Sequence, residues 1–130
     1  MGAEEHAVVI AGGGPTGMML VAEPALAGVD AVIVERREAR WGLGSRSGGL
    51  HARTIEVLDQ RGVGERFVSQ GKEAQVAGFG GVTLDISDFP TRRPYGLALW
   101  QKRFEEILAG CVPELDVPTR GGKAGTCGWC

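Results

Sequence analysis

An apolar run, Val8-Val9-Ile10-Ala11, passes directly into Gly12-Gly13-Gly14-Pro15-Thr16-Gly17, and a second run, Ala31-Val32-Ile33-Val34, ends on Glu35. Strand, glycine turn, helix and second strand ending in an acid make a dinucleotide-binding βαβ unit. Each element of it has a physical job. Gly12 permits the tight turn, Gly14 lets backbone N–H groups approach a pyrophosphate, and Gly17 lets the helix pack close against the strand. The pyrophosphate sits on the helix N-terminus, where unpaired N–H groups and the helix dipole favour negative charge. Glu35, at the tip of the second strand, is placed to accept hydrogen bonds from a ribose. Its negative charge disfavours a 2′-phosphate, so the site suits FAD or NAD and not NADP. The bland alternative is a structural glycine turn, since a chain with 22 glycines produces such spacings by chance. The flanking strands and the acid at the right distance favour the nucleotide reading.

At 130 residues the chain is long enough for one domain with a core, and 43% hydrophobic with 23% charged is ordinary globular composition. A net charge of −2 with no Lys/Arg cluster excludes an electrostatic footprint for nucleic acid. No apolar run approaches the roughly 20 residues needed to span a bilayer. The acidic start, Glu4-Glu5, has the wrong charge for a signal peptide. Three cysteines, an odd number without framework spacing, suit a reducing compartment, and the chain is expected to be cytoplasmic. Nothing in the sequence sets the oligomeric state.

After Glu35 the glycine-rich stretch 41–49 predicts a loop lying over something. Leu50, Thr54, Val57 and Leu58 recur at helical spacing up to Arg61-Gly62, and residues 65–70 add a short helical turn. Residues 76–79 and 82–86 predict a hairpin joined by Gly80-Gly81. Leu97-Ala98-Leu99-Trp100 precedes a helix from Gln101 whose inner face is Phe104, Ile107, Leu108 and Cys111, ended by Pro113. Leu115-Asp116-Val117 predicts a third parallel strand. From about Arg120 the sequence has no period and predicts a tail, so that residues 1–119 form the folded domain and residues 120–130 an irregular end. Pro24 is expected to break a hydrogen bond in the middle of the first helix, at a cost of about 3 kcal/mol.

Three separated segments resemble the FAD-dependent aromatic hydroxylases, the class A flavoprotein monooxygenases that include polyketide hydroxylases. They are Ala11 to Leu20 with Pro15 inside the glycine turn, residues 44–62 with Ser45, Arg46, Ser47, His51 and Arg53, and Gln101 with Glu105 and Leu108. The resemblance implies an α/β fold, a Rossmann-like FAD-binding βαβ unit with a parallel sheet, incomplete relative to family members several times longer. It implies that Gly12, Gly13, Gly14, Pro15, Thr16, Gly17 and Glu35 hold the adenosine and diphosphate half of FAD. By the same resemblance Arg36 flanks the adenosine, Arg46 reaches the diphosphate and ribityl region, and Gln101 bonds the ribityl chain. An arginine fork suits a diphosphate because it binds bidentately. In the family NADPH is the transient reductant and the substrate is a small aromatic or polyketide ring. No catalytic residue is expected in this segment, and the chain alone is not expected to hydroxylate; its tail departs from the family near Lys123, as in a truncated or frame-shifted member. A non-catalytic nucleotide-binding or interaction module, or an NAD-dependent dehydrogenase fragment, are the alternatives.

Other candidates carry bland readings. Cys127-Gly128-Trp129-Cys130 has C-x-x-C spacing without the strand and helix of a redox site, and His6, His51 and Cys111 are the only other soft ligands, so no metal site is expected. His51 is expected to cap a helix or lie on the surface, and His6 to be exposed. The acid pairs Glu4-Glu5 and Glu105-Glu106 are sequence neighbours whose side chains diverge.

Overall fold

The computed structural model describes residues 4–37 and 47–121. In chain order they form β1 (Val8–Ala11), α1 (Pro15–Leu26), β2 (Ala31–Glu35), β3 (Gly49–Leu50), α2 (Ala52–Gln60), α3 (Gly64–Val68), β4 (Lys72–Ala74), β5 (Val76–Phe79), β6 (Val82–Asp85), β7 (Gly96–Ala98), α4 (Gln101–Cys111), a 3₁₀ turn (Val112–Leu115) and β8 (Thr119–Gly121). They fall into two compact units, residues 4–37 with 108–121 and residues 47–107. Among the described residues no helix is long and apolar enough to cross a membrane.

The first unit is a parallel sheet in the order β1-β2-β8, one half of a doubly wound arrangement. β1 and β2 run in register from Val8 opposite Ala31 to Ala11 opposite Val34. Ala31, Val32 and Ile33 are all buried, as a continuous apolar run in a central parallel strand requires. Met18 and Val21 of α1 pack into the same core, and among the described residues β1 and β8 are the two ends of the sheet, with Val9 of β1 61% exposed.

Pro15 opens α1, where its missing N–H costs nothing and its fixed φ is preset for a helix. The helix closes on Gly28, at φ 72°, whose N–H donates to the Ala25 carbonyl at 3.0 Å while the Val29 N–H reaches the Pro24 carbonyl at 2.8 Å. This double closure is a Schellman motif. Pro24 therefore stands in the last turn and not in the middle of the helix, and its carbonyl serves the cap.

The third strand lies at 119–121 and not at 115–117. Pro113 cannot extend the α-helix but fits the start of a 3₁₀ turn, and Asp116 adopts a left-handed conformation, φ 55°, that a short polar side chain tolerates. Strand pairing resumes where the Ile33 N–H donates to the Pro118 carbonyl, 3.1 Å. Regular structure thus runs through Arg120 and Gly121, past the expected start of the tail; residues 122–130, with Cys127 and Cys130, lie outside the described residues. His6, expected on the surface, has its side chain only 16% exposed, with Nδ1 3.0 Å from an Asp30 carboxylate oxygen.

In the second unit β7 is the centre of an antiparallel sheet, β3-β7-β4. Residues 41–46 of the predicted glycine loop lie outside the described residues, and its end at 47–49 is bonded to the segment that follows β7: the Leu99 N–H donates to the Gly48 carbonyl and the Gln101 N–H to the Ser47 carbonyl, both at 3.0 Å. Leu50 pairs with Leu97 in this sheet and does not begin the helix. The later helix start turns Ile55 and Leu58 inward and leaves Thr54 exposed. His51 occupies the N-cap position, exposed and without a capping side-chain bond. Gly80 and Gly81, at φ 56° and 81°, supply the two left-handed residues that a tight two-residue hairpin turn between β5 and β6 demands. β4, a polar Lys-Glu-Ala run, carries no sequence signal.

A guanidinium ties the second unit together. Arg93 Nε and Nη2 bind the Asp59 carboxylate at 2.6 and 3.0 Å, Nη1 donates to the Tyr95 hydroxyl at 3.1 Å, and Nη2 also reaches Glu65 at 3.2 Å. Gly64 makes room for this, because a Cβ there would collide with the Asp59 carboxylate. In α4 the buried positions are Phe104 and Leu108, continued by Val112; Cys111 is half-buried and not core.

Candidate functional site

The residues of the first motif converge at the C-terminal ends of β1 and β2. The Gly12 N–H donates to the Val34 carbonyl at 2.8 Å, so the parallel ladder continues into the turn. Gly12 then takes φ 109°, which side-chain-bearing residues rarely adopt. Gly13 is buried, and a Cβ on it would lie 3.3 Å from the Cβ of Glu35. A Cβ on Gly17 would run into the carbonyl oxygen of Gly12. Gly14 differs from all three: its φ is −72°, an ordinary value, and a Cβ there would meet nothing within 4 Å. Neither conformation nor packing requires glycine at 14, and what its missing side chain leaves open is the space in front of α1.

Gly14 is the N-cap of α1 and no side chain caps this end. The first-turn N–H groups of a helix have no intrahelical partner, so those of Thr16 and Gly17 are available donors at the positive end of the helix dipole. Across the turn, Glu35 Oε2 accepts the Gly13 N–H and Oε1 the Arg37 N–H, both at 2.8 Å. These backbone bonds, Arg37 first and Gly13 second, hold the Glu35 carboxyl below the ordinary glutamate range. The Arg37 contact is not legible in the sequence, where the family pattern points only to Arg36 of the Arg36-Arg37 pair.

The structure thus brings together residues 12–17 and Glu35. Arg36 is exposed just past the end of β2. Arg46 lies outside the described residues. Gln101 belongs to the second unit, where it is the first residue of α4 and its Nε2 donates to Glu105 Oε1 at 2.6 Å. Its Gln-x-x-x-Glu spacing is therefore an i,i+4 hydrogen-bonded pair. Among the described residues no group of three or more His, Cys, Asp or Glu could hold a metal ion.

A strand, a turn whose Gly12 is demanded by φ and Gly17 by a backbone oxygen, an open helix N-terminus and an anchored acid make up a βαβ unit with the features of a nucleotide site. Residues 5–120 match the FAD binding domain family, and the chain belongs to it. It is 46% identical over 121 residues to the 12-dehydrotetracycline 5-monooxygenase/anhydrotetracycline 6-monooxygenase of Streptomyces rimosus, covering 92% of this chain and 24% of that protein. It is 40% identical over 119 residues to the rifampicin monooxygenase of Streptomyces venezuelae, 90% of this chain and 25% of that protein. Among solved structures, the OxyS anhydrotetracycline hydroxylase from Streptomyces rimosus superposes with a TM-score of 0.83 at 44% identity, over 90% of this chain and 24% of that one. The chain spans about a quarter of the length of these relatives.

Proposed function

We propose that this chain is the N-terminal, FAD-binding portion of a flavoprotein monooxygenase acting on aromatic or polyketide rings. The FAD diphosphate lies in front of α1, against the open face of Gly14 and the N–H groups of Thr16 and Gly17, with Gly12, Gly13 and Pro15 shaping the turn. Glu35 takes the ribose hydroxyls and Arg36 flanks the adenosine. Arg46 and Gln101 serve the diphosphate and ribityl portion. The FAD-binding portion extends through Gly121. The flavin supplies the redox and oxygen-activating chemistry when bound, with NADPH as transient reductant, and these residues bind and orient it. The odd cysteine count favours a cytoplasmic setting.

One observation carries the reading: Gly14 is the member of the turn whose missing side chain serves neither φ nor internal packing. Titration with FAD, NAD and NADP, followed by flavin fluorescence and calorimetry, tests it. FAD is expected to bind in preference to both nicotinamide dinucleotides, and Gly14→Val to lose that binding while keeping the parent melting temperature. Equal or tighter NAD binding, or an unimpaired Gly14→Val, would overturn the assignment. Supplying NADPH, oxygen and a panel of polyketide aromatics to the complete protein tests the activity; absence of hydroxylated product across the panel would count against it.

A further inference from the structure

We propose that Glu35 is a positioning residue for the glycine turn as well as a ligand for ribose: its carboxylate holds residues 12–14 in their binding shape before any nucleotide arrives. Gly13 is buried, and a buried N–H left without an acceptor is costly. Its acceptor is Glu35 Oε2, 2.8 Å away and 22 residues distant in the chain. The fit is reciprocal. A side chain at 13 would press on the Cβ of Glu35 at 3.3 Å and on Oε2 at 3.4 Å, a tight contact that would displace the glutamate by a few tenths of an ångström from its place against the turn.

The second oxygen, Oε1, is anchored by the Arg37 N–H at 2.8 Å, so the carboxylate is tied at both ends to backbone. Each carboxylate oxygen has acceptor capacity beyond one bond. The outward lone pairs remain for ribose hydroxyls, a contact that rests on the proposed function; the latch itself does not. Among the described residues, the Arg37 side chain is the charge whose field acts on this carboxyl, beside the backbone N–H groups of Arg37, Gly13 and Arg36, while partial burial opposes them. Because these bonds favour the ionised form, the latch is engaged above the ordinary carboxylate range and released as pH falls through the lowered folded value. A turn fixed in advance spares the ordering cost on binding.

Inorganic pyrophosphate separates the two roles, because it can occupy the turn and the helix N-terminus while making no ribose contact. If Glu35 served ribose alone, Glu35→Ala would remove a negative charge near the anion and bind pyrophosphate as tightly as the parent or more tightly. If Glu35 positions the turn, Glu35→Ala weakens pyrophosphate binding about tenfold, and Glu35→Gln, which keeps one acceptor oxygen for Gly13, recovers part of the loss. Binding is read by ¹⁵N NMR shifts, together with the acid titration of the Gly13 amide in the ligand-free parent. The Gly13 amide is expected to follow a single carboxylate midpoint below that of ordinary glutamate and to lose this pH dependence in Glu35→Gln. A Gly13 amide blind to that titration, or undiminished pyrophosphate binding by Glu35→Ala, would overturn the latch. Should Gly13 titrate as expected while the parent binds neither pyrophosphate nor FAD, the latch stands and the nucleotide reading fails.

Discussion

The glycine turn of the first unit and the Arg93 cluster of the second are held by different means. In the first, the turn that carries the site is fixed at its glycines: Gly12 by its φ, Gly17 by a carbonyl oxygen that leaves no room for a Cβ, and Gly13 by its hydrogen bond to the Glu35 carboxylate. In the second, Arg93 draws Asp59, Glu65 and Tyr95 together through side-chain bonds, the Asp59 pair spanning 34 residues. A constraint written into glycine positions has a fixed spacing along the chain. One written into an ion pair between distant residues has no spacing at all. At Gly12 and Gly17 the first kind leaves no unstrained place for a side chain, whereas the second loses only the bonds of the side chain removed.

Gly17→Ala should break the comparison most severely. Its Cβ would collide with the Gly12 carbonyl oxygen, a backbone atom that cannot swing aside, so α1 must lift away from β1 or the turn must reshape. The expected cost is about 3 kcal/mol or more, a large share of a typical stability of roughly 5 to 15 kcal/mol. Gly14→Ala, in the same turn but with open space at its Cβ, should leave the urea midpoint unchanged. Equal destabilisation by the two alanines would show that the turn does not distinguish its glycines as described.

Arg93→Ala probes the other unit and should cost less, about 2 kcal/mol, because Arg93 and Asp59 are 18% and 20% exposed and water can partly replace the lost bonds. The pH dependence has a definite sign. Asp59 is held below the ordinary aspartate value, chiefly by its hydrogen bond to Arg93, so the pair's contribution is present above the unfolded carboxylate range and fades as pH falls through the lowered folded value. Denaturation curves of parent and variant should therefore converge in acid. A gap that stayed constant down to the acid limit would mean that Arg93 acts by packing and not by its charge.

This contrast also explains what the sequence discloses. β1, α1, β2 and the turn are legible because each departs from random sequence at a fixed spacing, and the hairpin is legible because Gly80-Gly81 supplies two positive φ values in succession. The third strand begins four residues later than its apolar pattern suggests, since Leu115-Asp116-Val117 is apolar enough for a strand but follows a proline that redirects the helix into a 3₁₀ turn. Leu50 reads as helical because strand and helix compete for a lone apolar residue when the partner strand is 47 residues away. Within the site, the glycines and Glu35 are visible. The bond between Glu35 and Gly13 is not, because an acid at the end of a strand looks the same in sequence whether it faces solvent, a ribose or the backbone opposite.

Pro24→Leu gives the smallest effect and sharpens the comparison inside the first unit. In a helix interior a proline removes one hydrogen bond and crowds the carbonyl four residues back, at about 3 kcal/mol. Here that carbonyl belongs to Leu20, which is 54% exposed, and Pro24 sits in the last turn with its own carbonyl taken by the Val29 N–H. Water can serve the Leu20 oxygen, and the proline ring restricts the unfolded chain, a benefit of roughly 0.4 to 1 kcal/mol that leucine forfeits. The net gain on replacing it should be about 1 kcal/mol, a rise of roughly 4 °C in melting temperature for a chain of this size. A gain near the full interior value would show that the ring strains α1 despite the cap. A fall in melting temperature would show the reverse, that proline at the end of α1 holds the Schellman closure in place.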